Sequence, residues 1–289
     1  MENQFLAQAQ SGKNAWWRYL VGILIILIVW QVGGALLILP LIAANQGKVP
    51  EEATPVSFVF FLSTFAFLLL GTWLVNRLWH GRSVLSLTTP FGRVNWKRVF
   101  LGIAVWLVAM TIVAVVEALL HPGRYVLNPN PVSIIPYFLL GLVLIPMQTS
   151  AEEYFFRGYL LQASGRLMRN PFALSVLNGV LFAFPHLMNP EVGVMGLALS
   201  VAFYAAMGFF LAWLTLRSQT LELALGIHAA NNFFTGIFAN YVTTALPTES
   251  LFIIQTLDPV FGLVSFLVAA GAVYLVLSLT GMRQLAFAR

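Results

Sequence analysis

Between Tyr19 and Ala43 the chain carries no charged side chain. As a helix that run is about 37 Å long at 1.5 Å per residue, enough to cross a hydrocarbon core of about 30 Å. No other feature constrains the fold as strongly, because backbone polar groups in hydrocarbon must be satisfied inside the segment, as a helix does by itself. Further apolar stretches follow at 56–76, 98–120, 133–168, 171–187, 193–216, 223–240 and 260–280. The stretch 133–168 is about 54 Å if wholly helical, so it must tilt, kink or enter late, and Pro146 is the expected kink site. Only 9% of the 289 residues are charged and 60% are hydrophobic, against about 25% charged in soluble domains. The expected class is all-α: a polytopic membrane protein with about eight transmembrane helices.

Charge placement sets the expected orientation. The net charge is +5, but the basic residues flank apolar runs and form no cluster suited to nucleic acid, so no nucleic-acid partner is expected. With the N-terminus in the cytoplasm, Lys13, Arg18, Arg77, Arg82, Arg93, Lys97, Arg98, Arg157, Arg166, Arg169, Arg217, Arg283 and Arg289 fall inside. Only Lys48 and Arg124 fall outside. This is a strong positive-inside bias, and it predicts an integral protein, such as one of a bacterial plasma membrane, with both termini cytoplasmic. Glu51, Glu52, Glu191, Glu249 and Asp258 are expected outside. The first run is longer than a signal-peptide core and has no small-residue cleavage motif behind it, so it is expected as an uncleaved span. The chain has no cysteine, which excludes disulfides, thiol catalysis and thiolate metal sites. The expected organisation is a cytoplasmic segment at 1–18, three front helices at 19–132, a core at 133–240, and an outer loop, last helix and cytoplasmic tail at 241–289.

Residues 151–158 read AEEYFFRG, and ionisable groups inside a membrane segment are expensive and mark function by default. Glu152 lies fourteen residues before Arg166, about 20 Å into the membrane at helical rise. His186 lies sixteen residues past Asn170 and His228 eleven past Arg217, about 24 and 16 Å along their own helices. Three helices thus deliver Glu152, His186 and His228 to similar depth. Glu153 and Arg157 are i, i+4 neighbours and can pair, while Glu152 points about 100° away, free to face a cavity and act as a general base. His228 and Asn232 share a face, with Asn231 rotated away, and an amide beside an imidazole suits an oxyanion. Pro185 is expected to end or bend the fifth helix beside His186. A purely structural charge network around Glu152, and helix-packing roles for the histidines, are the competing readings. His80 and His121 are expected at interfaces or in solvent, Glu117 and Glu222 near helix ends at the interface, and the Phe-rich 58–67 run as lipid-facing or packing surface.

Three motifs in order carry a family resemblance: Glu152-Glu153-Tyr154-Phe155-Phe156-Arg157, Phe182-Ala183-Phe184-Pro185-His186 and His228-Ala229-Ala230-Asn231-Asn232. They resemble the type II CAAX prenyl endopeptidases, also called the CPBP family of CAAX proteases and bacteriocin-processing enzymes, over residues 133–240. The resemblance implies eight helices enclosing an intramembrane catalytic cavity open to cytosol or lipid. It implies an endopeptidase acting on a CAAX-type or other membrane-associated protein or peptide, lipidated or not. Carried over, Glu152 activates water with His186 as orienting partner, His228 and Asn232 hold the oxyanion, and Glu153 and Arg157 support them. No cofactor is expected. If zinc is used instead, Glu152, His186 and His228 are the ligands, as a two-His, one-carboxylate set. Rival readings are an immunity or scaffold factor that works by binding, and a proton-coupled transporter.

Overall fold

The computed structural model describes residues 3–48, 54–241 and 243–280; Glu51, Glu52, Arg283 and Arg289 lie outside the described residues. The helices labelled here, in chain order, are α1 Trp16–Ala44, α2 Pro55–Trp79, α3 Trp96–Leu120, α4 Pro131–Ser164, α5 Pro171–His186, α6 Leu197–Ser218, α7 Glu222–Phe233 and α8 Pro259–Leu279. Each coincides with one of the apolar stretches. Six of them, α1 to α4, α6 and α8, are long and apolar enough to cross a membrane. The helix α5 has 16 residues and α7 has 12, extended by a π-helical turn Phe234–Phe238. The expected eight spans therefore reduce to six by length, with two shorter helices packed among them.

Local sequence explains the boundaries. Pro55, Pro171 and Pro259 each open a helix, where the missing N–H is not needed. The preceding Thr54, Asn170 and Asp258 side chains accept hydrogen bonds from first-turn amides, as N-caps do. Pro185 sits one residue before the end of α5, as its lost N–H and ring clash require. Pro146 is accommodated inside α4, and the helix continues beyond it. The irregularity in α4 comes later: a π-helical segment, Tyr154–Leu160, begins directly after Glu152 and Glu153. Such bulges insert a residue into the ladder and re-aim side chains.

Packing is tightest where glycine removes the side chain. A Cβ on Gly102 of α3 would lie 2.7 Å from the Leu223 carbonyl oxygen of α7, and one on Gly226 of α7 would collide with the Val99 carbonyl oxygen of α3. A Cβ on Gly179 of α5 would lie 2.5 Å from the Ala205 carbonyl oxygen of α6, and one on Gly208 would lie 2.8 Å from Gly179 Cα. Small residues at crossings let membrane helices approach closely. Here they fix α7 against α3 and α5 against α6, the pairs that carry His228 and His186.

Polarity is distributed inside out. Leu20, Leu24, Ile28, Leu36, Val108, Ile112 and Leu119 are exposed, whereas Arg82, Arg98 and Arg157 are among the largest fully buried side chains. The two ends of the bundle differ. At one end the chain before α1 folds across the helices: Phe5 is buried, Asn3 Nδ2 donates to the Leu216 carbonyl at 2.8 Å, and Leu6 packs on Gly165. At the other end, strands β1 Tyr125–Leu127, β2 Ala239–Tyr241 and β3 Phe252–Ile254 form a small sheet in the order β1-β3-β2. In it β1 runs antiparallel and β2 parallel to β3.

Two sequence expectations fail at the first end. His80 is fully buried, with Nδ1 2.7 Å from the Lys13 carbonyl and Nε2 2.8 Å from the Tyr159 hydroxyl, because the segment before α1 covers it. Burial holds its pKa below the usual histidine range. Glu222 is also buried, 3.3 Å from Arg98 and accepting from the Asn95 amide, because the α3–α7 contact closes over the pair. Near the sheet, Glu191 lies in the segment between α5 and α6; it is buried and accepts from the Tyr204 hydroxyl at 2.5 Å and Asn189 Nδ2 at 3.3 Å.

Candidate active site

A cavity of about 390 Å³ opens into the bundle on the side of the small sheet, and Glu152, His186, His228 and Asn232 all line it. Around Glu152 the polar wall comes from four helices: α4 with Gln148 and Glu152, α5 with His186, α6 with Tyr204, and α7 with His228, Asn231 and Asn232.

The neighbouring carboxylates of α4 have different surroundings. Glu153 is fully buried. Its Oε1 accepts from Arg157 Nη1 at 2.8 Å, the i, i+4 pair expected from spacing, and lies 2.7 Å from His228 Nδ1. Glu153 therefore does more than neutralise Arg157: it also fixes the ring of His228. Since a carboxylate here only accepts, Nδ1 carries the proton, and Nε2 is the nitrogen turned towards the cavity. That Nε2 lies 3.5 Å from Glu152 Oε2. Glu152 Oε1 accepts from Gln148 Nε2 at 2.8 Å, while Glu152 Oε2 is buried with no hydrogen-bond partner among the described residues. The oxygen nearest His228 is thus the one with free accepting capacity.

His186 reaches the cavity through its own helix. Its Nδ1 is 2.7 Å from the Phe182 carbonyl, one turn back, so Nδ1 donates and Nε2 is left to accept in the neutral ring. The Phe182 ring joins the two histidines. Its centroid lies 4.4 Å from that of His186 and 5.9 Å from that of His228, and the Arg157 guanidinium sits 4.2 Å from it on the α4 side. Tyr204 covers the other side of His186 at 4.5 Å.

The amides form a chain that sequence reading only half captured. Asn232 Nδ2 donates to Gln148 Oε1 at 3.1 Å, and Gln148 passes its own donor to Glu152. Asn231 Nδ2 donates to Asn232 Oδ1 at 3.1 Å, and Asn231 Oδ1 accepts from Trp106 Nε1 at 3.2 Å. Asn231 is therefore not turned away from the site. The cavity follows α7 over more than one face, and Trp106 of α3 holds the amide in place. Gln148 stands one turn before Glu152 at i, i−4, a spacing that could have singled it out.

The cavity mouth lies among Glu117, Tyr125, Asn189, Tyr241, Thr244 and Asp258. Arg124 pairs there with Glu117 at 2.8 Å and Asp258 at 3.5 Å. The amide of Phe261, which Asp258 caps, and the Arg124 charge hold the Asp258 carboxyl below its usual range. Burial and the bond to Glu117 push the Tyr125 phenol up.

The donor chemistry of Glu152, His186 and His228 would suit zinc, and the Phe182 carbonyl and Glu153 hold the distal ring nitrogens as outer partners of metal-bound histidines often do. Among the described residues no group of three or more His, Asp or Glu side chains is arranged to hold a metal ion.

Comparison with known proteins agrees with the motif reading. The family model described as "Type II CAAX prenyl endopeptidase Rce1-like" matches residues 143–234, from within α4 to the end of α7. A Bacillus subtilis protein carrying the name "Uncharacterized protein YyaK" is 32% identical over 272 residues, covering 90% of each chain. No solved structure matches the chain.

Proposed function

Because this chain belongs to the type II CAAX prenyl endopeptidase Rce1-like family of intramembrane proteases, we propose that it hydrolyses a peptide bond of a membrane-associated protein or peptide with water activated by Glu152. The observation that carries this reading is the unpartnered Glu152 Oε2, 3.5 Å from His228 Nε2 in a cavity also lined by His186 and Asn232. A general base must have a free lone pair within reach of water, and this oxygen has one.

Glu152 takes a proton from water, and the oxygen attacks the scissile carbonyl carbon. The carbonyl oxygen becomes an oxyanion, for which the Asn232 amide and His228 are the donors at hand. Donation from His228 Nε2 while Nδ1 stays on Glu153 requires the imidazolium. Two carboxylates, one guanidinium and one imidazolium then sum to zero, the arrangement low dielectric tolerates best. His186 Nε2 accepts from the attacking water and orients it. The C–N bond breaks as Glu152 returns its proton to the leaving amine, giving one new carboxyl and one new amino terminus. No step requires a metal, and activity is expected to survive chelation.

Quantitative proteomics of membranes from cells expressing wild type or Glu152→Ala tests the reading. The expected result is a set of membrane proteins or peptides that accumulate uncut only with the variant. Identical termini in both samples, at equal protein levels, would sink it.

A further inference from the structure

Every labelled helix except α1 contributes to the cavity wall, which holds four carboxylates, Glu117, Glu152, Glu191 and Asp258. Three of the four have a basic partner. Arg124, beside the mouth, lies 2.8 Å from Glu117 and 3.5 Å from Asp258, and Glu152 has His228 Nε2 at 3.5 Å. Glu191 differs: among the described residues no lysine, arginine or histidine nitrogen stands within ion-pair distance of it.

The surroundings of Glu191 use only half of its carboxylate. Its Oε1 accepts from the Tyr204 hydroxyl at 2.5 Å and from Asn189 Nδ2 at 3.3 Å. Its Oε2 is buried with no hydrogen-bond partner among the described residues. Helix capping does not account for the residue: Glu191 precedes the short helix Val192–Met195, and its side chain makes no cap hydrogen bond there. An unpaired buried acceptor is costly, and more so when charged, so the fold gains nothing from leaving Oε2 free. Burial, and then the Glu191 charge, push the Tyr241 phenol up, which makes Tyr241 a second phenol neighbour of the carboxylate. A free carboxylate oxygen beside phenol rings suits a guanidinium or ammonium group, which can pair with the oxygen and lie against a ring.

We propose that Glu191 is a specificity-determining residue that receives a lysine or arginine side chain of the substrate. That the bound chain is a substrate rests on the hydrolase reading; the cation site itself rests on the geometry of Glu191. The site stands close to the chemistry. Tyr204, whose hydroxyl bonds Glu191, lies against the His186 ring with centroids 4.5 Å apart. The Glu191 carboxylate is thus one ring and one hydrogen bond from His186, a reach of at most about three extended residues at about 3.3 Å each. The basic residue therefore sits within about three positions of the scissile bond.

Two assays on the purified full-length protein test this. In the first, wild type, Glu191→Gln and Glu152→Ala are incubated with a randomised mixture of acetylated octapeptide amides, and products are sequenced by mass spectrometry. Glu152-dependent cuts by wild type are expected to show lysine or arginine enriched at one position within three residues of the cut. Glu191→Gln should lose about 10–100-fold in kcat/KM on those peptides, the value of a hydrogen bond to a charged group, and keep its rate on peptides neutral at that position. Absence of a basic preference in wild type, or the same preference in Glu191→Gln, overturns the proposal. The second assay measures binding and needs neither turnover nor a variant at Glu191. An acetylated apolar octapeptide with arginine at each position in turn is compared, on Glu152→Ala protein, with the same peptides carrying citrulline, which has a similar shape and no charge. At one position arginine should bind about 10–100-fold more tightly, and equal affinities at every position overturn the proposal. Binding as expected with no Glu152-dependent cleavage would remove the hydrolase reading and leave the cation site standing.

Discussion

Replacing Arg157 with methionine keeps most of the side-chain volume and deletes one charge from the centre of the bundle. Arg157 and Glu153 are both fully buried and 2.8 Å apart, and the guanidinium also lies 4.2 Å from the centroid of Phe182, the ring between the two histidines. Removing one partner of a buried ion pair costs about 3–5 kcal/mol, because the other is left uncompensated. Set against a total stability of about 5–15 kcal/mol for a folded domain, that loss should be visible as lower yield in membranes and a lower unfolding midpoint in detergent. Glu153→Gln should cost a similar amount, since it also frees Arg157 and weakens the hold on His228. The double variant leaves no orphaned charge, so its cost should fall short of the sum of the singles by about 1–3 kcal/mol, the range for residues in direct contact. The assay is a double-mutant cycle read by denaturant or thermal unfolding of the purified protein. Additivity within about 0.5 kcal/mol, or an Arg157→Met variant with wild-type yield and midpoint, would refute the reasoning.

Other perturbations read different parts of the account. Asn232→Ala removes the oxyanion donor proposed above and should lower kcat by about 10²–10³-fold with little change in KM; an unchanged kcat would remove Asn232 from the chemistry. Gln148→Met leaves Glu152 Oε1 and the Asn232 amide without their shared partner, at about 1–3 kcal/mol of stability, and should reduce kcat, both measurable on purified protein. Gly226→Val drives a side chain into the Val99 carbonyl and should abolish folded yield, whereas the same substitution at Gly262, which faces open space, should not. The lowered His80 pKa means the unfolded chain binds the proton more readily. Stability from this residue is therefore present at pH 7.5 and lost as pH falls below its ordinary value of 6.5, by up to about 1.4 kcal/mol per pH unit. Unfolding midpoints of wild type should fall more between pH 7.5 and 5.5 than those of His80→Gln; equal slopes would contradict this.

Much of the site was legible because helical spacing is rigid. The Glu153–Arg157 pair, the shared cavity of Glu152, His186, His228 and Asn232, and the helix end after Pro185 each follow from 1.5 Å rise, 100° per residue or a missing N–H. What escaped was tertiary. The bond between Glu153 and His228 joins residues 75 positions apart, and no periodicity reports it. Asn231 was misjudged because a single helical face was assigned to a cavity that wraps α7. His80 and Glu222 were placed in water or at interfaces by their position near span ends, yet neighbouring chain segments close over and bury them. The π-helical turn after Glu153 likewise left no composition signal, although it sets the register of Arg157.

The central claim is that the free oxygen of Glu152 activates the attacking water. Its most direct measurement is kcat of purified wild type and Glu152→Gln on a peptide first identified as cleaved in membranes. General-base catalysis contributes about 10²–10⁴-fold, so the variant should lose at least about a hundredfold in kcat while unfolding at the wild-type midpoint. A Glu152→Gln protein that is equally stable and cleaves at the wild-type rate would contradict the account.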